Sequence, residues 1–118
     1  MHGLVGEKVL MRIHIGERDK HDGKLLYEEI VALLRARGYA GVTVLRGVLG
    51  FGASDHLHGD RSEWFAPDLP IVIECVERKD RIRDILPELD RMIGGGLITL
   101  ERSQVIVYRP HDASGDAA

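Results

Sequence analysis

The feature that most constrains the fold of this chain is the order in which two apolar periodicities follow one another. Apolar residues recur with a period of two over residues 9–15, and this alternation stops at Gly16. Such a pattern is typical of a strand with one buried face. Apolar residues then recur at helical spacing over residues 26–34, and Gly38 follows two arginines. This second pattern predicts an amphipathic helix that ends at a glycine.

Two further strands are predicted in the middle of the chain. Residues 42–46 alternate and are rich in β-branched side chains, which favours a strand. Residues 69–76 are almost continuously apolar, which is typical of a strand buried on both faces or at a subunit contact. Between them we expect a long mobile polar loop at residues 53–68. A connection of this length in a small domain is a candidate binding element.

The last third of the chain repeats the helix and strand patterns. Helical spacing over residues 82–93 predicts a second helix, which Pro87 should kink or restart because proline lacks a backbone donor. Residues 97–108 predict one last strand with a bulge at residues 101–103.

The resulting order, strand, helix, strand, strand, helix, strand, predicts a ferredoxin-like βαββαβ fold of the α+β class. In it, a four-stranded antiparallel sheet carries two helices on one face. We expect the domain to span residues 7–109 and residues 110–118 to form a disordered tail. The helix-free face of the sheet would be bare, so we expect other copies of the chain to cover it in a closed oligomer. The fold by itself does not settle the function.

Composition excludes several classes of protein. The chain of 118 residues has one cysteine, Cys75, so an intramolecular disulfide and a cysteine-based zinc site are excluded. No apolar run reaches the length of a membrane helix, and the first residues lack the apolar centre of a signal peptide, so we expect a cytoplasmic protein. A net charge of -3 argues against generic nucleic-acid binding.

Several short segments carry a family resemblance. A Gly-Phe-Gly sequence, a polar stretch and then Asp-Leu-Pro-Ile-Val-Ile-Glu resemble the PII signalling superfamily. More specifically, the chain resembles the PII-like family named domain of unknown function 190. The segments that carry these resemblances are residues 13–17, 26–28, 40–47, 50–52 and 68–74.

The resemblance implies a homotrimer with ligand clefts between subunits. In PII proteins the ligand is ATP or ADP, so we expect an anionic ligand such as ATP, ADP or AMP. The loop at residues 53–68 would report the ligand to a protein partner, for which a membrane transporter or channel is the expectation. The chain departs from the PII pattern at Ala53, Ser54 and Ile71.

The predicted ligand site has three parts. One glycine segment would shape the base of the loop, a second would offer backbone N–H groups to an anion, and an arginine in the second strand would supply charge. The second glycine segment could instead be a helix C-cap, and the arginine could pair with Glu74 or with another subunit. The predicted ligand-binding residues are Arg46, Gly50, Phe51, Gly52, Gly94, Gly95 and Gly96.

The alternative from another class is a divalent-metal-responsive module that resembles CutA-type proteins. In that case His56 and His58, with His14, would be the candidate ligands. An enzyme is the least favoured reading, because no catalytic motif is found. Glu17 and Asp19 could form an acid and base pair, but a solvated charged loop explains them better, so we assign no catalytic or metal-binding residue.

Overall fold

The structure is a computed structural model that describes residues 3–52 and 68–111. Within these ranges it contains six strands and two helices. In chain order they are β1 (Gly6–Gly16), β2 (Lys20–His21), β3 (Lys24–Leu25), α1 (Leu26–Ala36), β4 (Thr43–Arg46), β5 (Pro70–Glu77), α2 (Lys79–Met92) and β6 (Leu97–Val105).

Four of the strands form one antiparallel sheet in the order β4-β5-β1-β6. At the centre of β1, Ile13 lies opposite Ile73 of β5 and Ile98 of β6. Each helix therefore connects two strands that are separated by one other strand, as in two interleaved βαβ units. The predicted ferredoxin-like arrangement is confirmed.

The core lies between the helices and one face of this sheet. Every second residue is buried in β5 and, from Met11 onward, in β1, and each helix contributes residues at helical spacing. Cys75 belongs to this core. The buried hydrophobic residues are Met11, Ile13, Ile15, Leu26, Ile30, Leu34, Ile71, Ile73, Cys75, Ile82, Ile85 and Leu89.

The C-terminal end of α1 follows its local sequence signal, whereas Pro87 does not interrupt α2. Gly38 has a φ of +76°, and the amides of Gly38 and Tyr39 donate to the carbonyls of Arg35 and Leu34, which is a Schellman C-cap. The predicted restart at Pro87 is wrong, because α2 is one helix of 14 residues. Pro87 is exposed, while the buried residues of α2 on both sides of it hold the helix on the sheet.

The other face of the sheet is partly exposed in the single chain. The even-numbered residues of β5 are half-buried, so the prediction of a strand buried on both faces is wrong for the isolated subunit. Near the middle of this face, Arg12 binds Glu74 at 2.8 Å and Glu101 at 2.9 Å. Both contacts raise the pKa of Arg12. That other copies cover this face stays a prediction.

One strand prediction needs correction, and one short hairpin was not predicted from the sequence. The strand β6 keeps an unbroken register with β1 through residues 101–103, so the predicted bulge is wrong, and the strand ends at Val105. The segment after β1 contains the short hairpin of β2 and β3, which turns at Asp22 and Gly23 with φ values of 52° and 79°. Two successive positive φ values are typical of a tight hairpin turn, and Asp-Gly is a favoured sequence for it.

Candidate functional site

Most of the predicted site residues lie at one end of the sheet. Strands β1 and β4 end there at Gly16 and Arg46, while β5 and β6 begin there at Pro70 and Leu97. Antiparallel pairing brings these four strand ends together. We refer to this region as the glycine end of the sheet.

The first glycine segment lies against Pro70. The amide of Gly47 donates to the carbonyl of Pro70 at 2.7 Å. A Cβ atom on Gly47 would lie 2.6 Å from Cγ of Pro70, and one on Gly50 would lie 3.1 Å from the same atom. The segment therefore needs small residues at these two positions, because the proline ring fills the space where side chains would stand.

The remaining residues of this segment face open space. Phe51 is 71% exposed, and a Cβ atom on Gly52 would meet none of the described residues within 4 Å. An aromatic ring this exposed is available for a ligand or a partner. Gly50 thus packs against Pro70, whereas Gly52 has no such contact among residues 3–52 and 68–111.

The far end of the 53–67 connection is fixed to the turn after β1. The amide of Glu17 donates to the carbonyl of Leu69 at 2.8 Å, and the amide of Arg18 donates to Oδ1 of Asp68 at 2.6 Å. Gly16 is buried beside Asp68, and a Cβ atom there would overlap the Asp68 carboxylate. This turn therefore holds the chain where it re-enters the sheet.

Arg46 pairs with a residue that the sequence analysis did not consider as its partner. Its Nη2 atom lies 2.8 Å from Oε2 of Glu17. Arg46 is opposite Ile71 and so lies on the helix side of the sheet, whereas Glu74 lies on the other side and binds Arg12. The predicted alternative of an Arg46 to Glu74 bridge is therefore wrong. Glu17 follows Ile15 by two residues, so strand periodicity and the sheet order together could have identified it.

The second glycine segment, residues 94–96, lies where β6 begins. Gly96 has a φ of +143°, and a Cβ atom there would overlap the carbonyl oxygen of His14. A Cβ atom on Gly94 would meet nothing within 4 Å. Helix α2 is capped by Ile93 in an extended conformation, so the alternative of a left-handed glycine C-cap is wrong. A depression of 240 Å³ is lined by Asp90, Ile93, Gly94, Gly95, Gly96, Leu97 and Ile98.

The two glycine segments share one end of the sheet but occupy opposite edges. Residues 47–52 follow the edge strand β4, residues 94–96 precede the edge strand β6, and β5 and β1 lie between them. Three strand spacings separate the two edges by roughly 14 Å. A single chain therefore does not bring residues 50–52 and 94–96 into one pocket.

The opposite end of the sheet holds a different arginine cluster. Arg81 binds the buried carboxylate of Glu77 at 3.1 Å, donates to the carbonyls of Arg37 and Gly38, and lies 5.0 Å from the ring centre of Tyr39. Burial raises the pKa of Tyr39 to about 12. A cavity of 510 Å³ lies beside this cluster. These contacts join the start of α2 to the end of α1, and we assign them a structural role.

The described residues contain no group of three or more metal-ligating side chains. His14 lies on the helix-free face of the sheet opposite Val72 and Leu97. His56 and His58 fall outside the described residues, so the metal-responsive alternative stays a prediction. Asp19 accepts the amide of Gly16 at 2.9 Å and Glu17 pairs with Arg46, so both carboxylates have structural partners.

Neither helix in the described part of the chain is long and apolar enough to cross a membrane.

Comparison with known proteins shows which family the chain belongs to. The profile of the DUF190 family, described as "Uncharacterized ACR", matches residues 8–105, so the chain belongs to this family. It is 34% identical over 92 residues to a UPF0166 protein of Methanocaldococcus jannaschii. The aligned region covers 77% of this chain and 84% of that protein. It is also 31% identical over 102 residues to a UPF0166 protein of Aquifex aeolicus, which covers 86% of this chain and 96% of that protein.

Proposed function

We propose that this protein is a PII-like regulator that binds an anionic small molecule, an adenine nucleotide, in clefts between copies of the chain. The observation that carries this proposal is the placement of the two glycine segments at one end of the sheet and on opposite edges. We propose that one ligand contacts both segments and that the two segments come from different subunits.

A ring of subunits supplies that arrangement. When the β4 edge of one copy lies beside the β6 edge of the next, residues 50–52 of the first copy approach residues 94–96 of the second. Such a contact joins two different surfaces, and it closes into a ring when the rotation between copies allows. We propose a homotrimer, as the PII resemblance implies.

The chemistry of the two segments suits an adenine nucleotide. Phe51 presents an exposed ring, and base stacking on aromatic rings tolerates different bases. The open space around Gly94 lets phosphate oxygens approach the backbone. Arg46 is exposed at the same end of the sheet and supplies a guanidinium, which is suited to phosphate recognition.

The 53–68 segment is the part of the chain that we propose for contact with a protein partner. Hydrogen bonds hold the chain on both sides of this segment, and both lie at the glycine end. The amide of Gly47 donates to the carbonyl of Pro70, and the amide of Arg18 donates to Asp68. A ligand bound there would contact the ends of the segment and could shift its population between two states. A membrane transporter or channel is the partner that the PII resemblance suggests.

Native mass spectrometry of gently purified protein is the first test. We expect a trimer that retains a mass equal to that of ATP, ADP or AMP. A monomer would contradict the cleft between subunits. Failure to bind any of the three nucleotides in calorimetric titrations would contradict the choice of ligand.

Substitution of Phe51 tests the stacking contact. We expect Phe51→Ala to weaken ATP binding by roughly tenfold, because loss of one stacked base removes at least about 1 kcal/mol. Val48→Ala is the matched control, since Val48 is 93% exposed in the same segment and has no proposed ligand contact. Equal affinities in both variants would contradict a stacking role for Phe51.

A further inference from the structure

We infer that Glu17 is a built-in competitor for the anion at Arg46, so that its negative charge lowers the affinity of the site for phosphate-bearing ligands. This inference rests on the proposed function and concerns the regulation of the same site. Its basis is the ion pair of 2.8 Å between the guanidinium of Arg46 and the carboxylate of Glu17.

The ion pair crosses a whole strand of the sheet. Arg46 ends β4 and Glu17 follows β1, while β5 lies between these two strands. The separation of their axes is roughly 10 Å, which two long side chains can span together. Both side chains reach over the start of β5. In this pair Arg46 extends along the sheet end toward β1, so an anion in the cleft at the β4 edge would draw the guanidinium away from Glu17.

The backbone of Glu17 is fixed, so its carboxylate stays near Arg46. Its amide donates to the carbonyl of Leu69, and the next amide donates to Asp68. The Glu17 side chain is 27% exposed, whereas that of Arg46 is 57% exposed. Arg46 is the more accessible partner. Glu17 is less exposed, and the turn fixes its backbone.

An incoming phosphate must replace or share this partner. An exposed ion pair contributes little to stability, so a multiply charged anion can displace the carboxylate from the guanidinium. The displaced carboxylate remains close because its backbone is held, and it repels the bound phosphates. A ligand without charge would not experience this repulsion.

Glu17→Gln tests the inference because it removes the charge and keeps the shape and polarity of the side chain. Binding of ATP, inorganic tripolyphosphate and adenosine would be measured by calorimetry at low ionic strength. We expect ATP and tripolyphosphate to bind roughly three- to tenfold more tightly to the variant, from the repulsion of charges several Å apart in a wet site. The affinity for adenosine should not change.

The matched control is Asp22→Asn, which alters the net charge by the same amount. Asp22 is exposed at the tip of the β2 and β3 hairpin with a φ of 52°, a conformation that asparagine also adopts. We expect less than a twofold change in tripolyphosphate affinity. An equal gain in both variants would overturn the inference, because the effect would then follow net charge alone.

A double-mutant cycle with Arg46→Gln completes the test. In the Arg46→Gln background the Glu17→Gln substitution should give less than half of its effect on the binding free energy, because the two residues act as a pair. Equal affinity of the wild type and Glu17→Gln for ATP and tripolyphosphate would overturn the role of Glu17 alone. If tripolyphosphate binds and ATP, ADP and AMP do not, the nucleotide proposal fails while the effect of Glu17 can still be measured.

Discussion

The two ends of the sheet each hold an arginine that is paired with a glutamate, and the two pairs differ in burial and in their further contacts. Glu77 is buried, and Arg81 has further bonds to two backbone carbonyls and contact with an aromatic ring. Arg46 and Glu17 form one ion pair at the surface. The first arrangement fixes two helices to each other, whereas the second leaves a guanidinium accessible.

The difference indicates which arginine can serve a ligand. Removing Arg81 from Glu77 would leave a buried carboxylate without its partner, which is costly. Separating Arg46 from Glu17 exposes two groups that water can solvate, which costs little. The anion that we propose for the glycine end would therefore recruit Arg46 without unfolding any part of the domain.

The largest expected effect compares the two arginines directly. We expect Arg81→Ala to lower the free energy of unfolding by about 3 kcal/mol, because Glu77 would remain buried and unpaired. Arg46→Ala should lower it by less than about 1 kcal/mol. Urea denaturation followed by circular dichroism measures both values. Equal losses of stability in the two variants would contradict the claim that the Arg81 pair stabilises the fold more than the Arg46 pair does.

A second comparison lies within one glycine segment. Gly96→Ala should cost about 2 kcal/mol, because the new methyl group would overlap the His14 carbonyl at a φ of +143° that side chains rarely adopt. Gly94→Ala is the control, with nothing within 4 Å of the new atom, and should change stability by less than about 0.5 kcal/mol. A large loss for Gly94→Ala would mean that the open space beside it is needed by the fold and not by a ligand.

The smallest expected effect is a dependence on alkaline pH. Burial, with a smaller contribution from Glu77, raises the pKa of the Cys75 thiol from 9.0 to about 12. Between these values the folded state keeps a proton that the unfolded chain releases, so stability is complete below pH 9 and falls as the pH rises. We expect a loss of about 1 kcal/mol between pH 8 and pH 10.

The Cys75→Ala variant shows how much of the alkaline loss of stability comes from Cys75. The variant loses some stability at every pH because the core is less well filled, and only its pH dependence is compared with that of the wild type. Urea denaturation at pH 8, 9 and 10 should show a shallower decline for the variant. An identical decline would assign the alkaline effect to other groups, such as Tyr39, whose pKa is also raised to about 12.

Parts of the candidate site could be predicted from the sequence. Gly50 and Gly96 were among the predicted ligand-binding residues. In the structure both positions have little room for a side chain. The position of Arg46 at the end of β4 also followed from strand periodicity. Its partner did not, because Glu17 and Arg46 are brought together by the sheet order, which places β1 two strands away from β4.

Local sequence patterns by themselves determined the four strands of the main sheet, both helices and most of the residues that enter the core. Side-chain direction repeats every two residues in a strand and every 3.6 in a helix, so a short window of sequence fixes which residues enter the core. The positive φ values at Gly38 and at the Asp22 turn also depend on short sequence signals. Only the tertiary structure decided the continuity of α2 through Pro87 and the single buried face of β5. It also decided the separation of the two glycine segments and the pairing of Arg46 with Glu17, because these depend on how distant parts of the chain pack together.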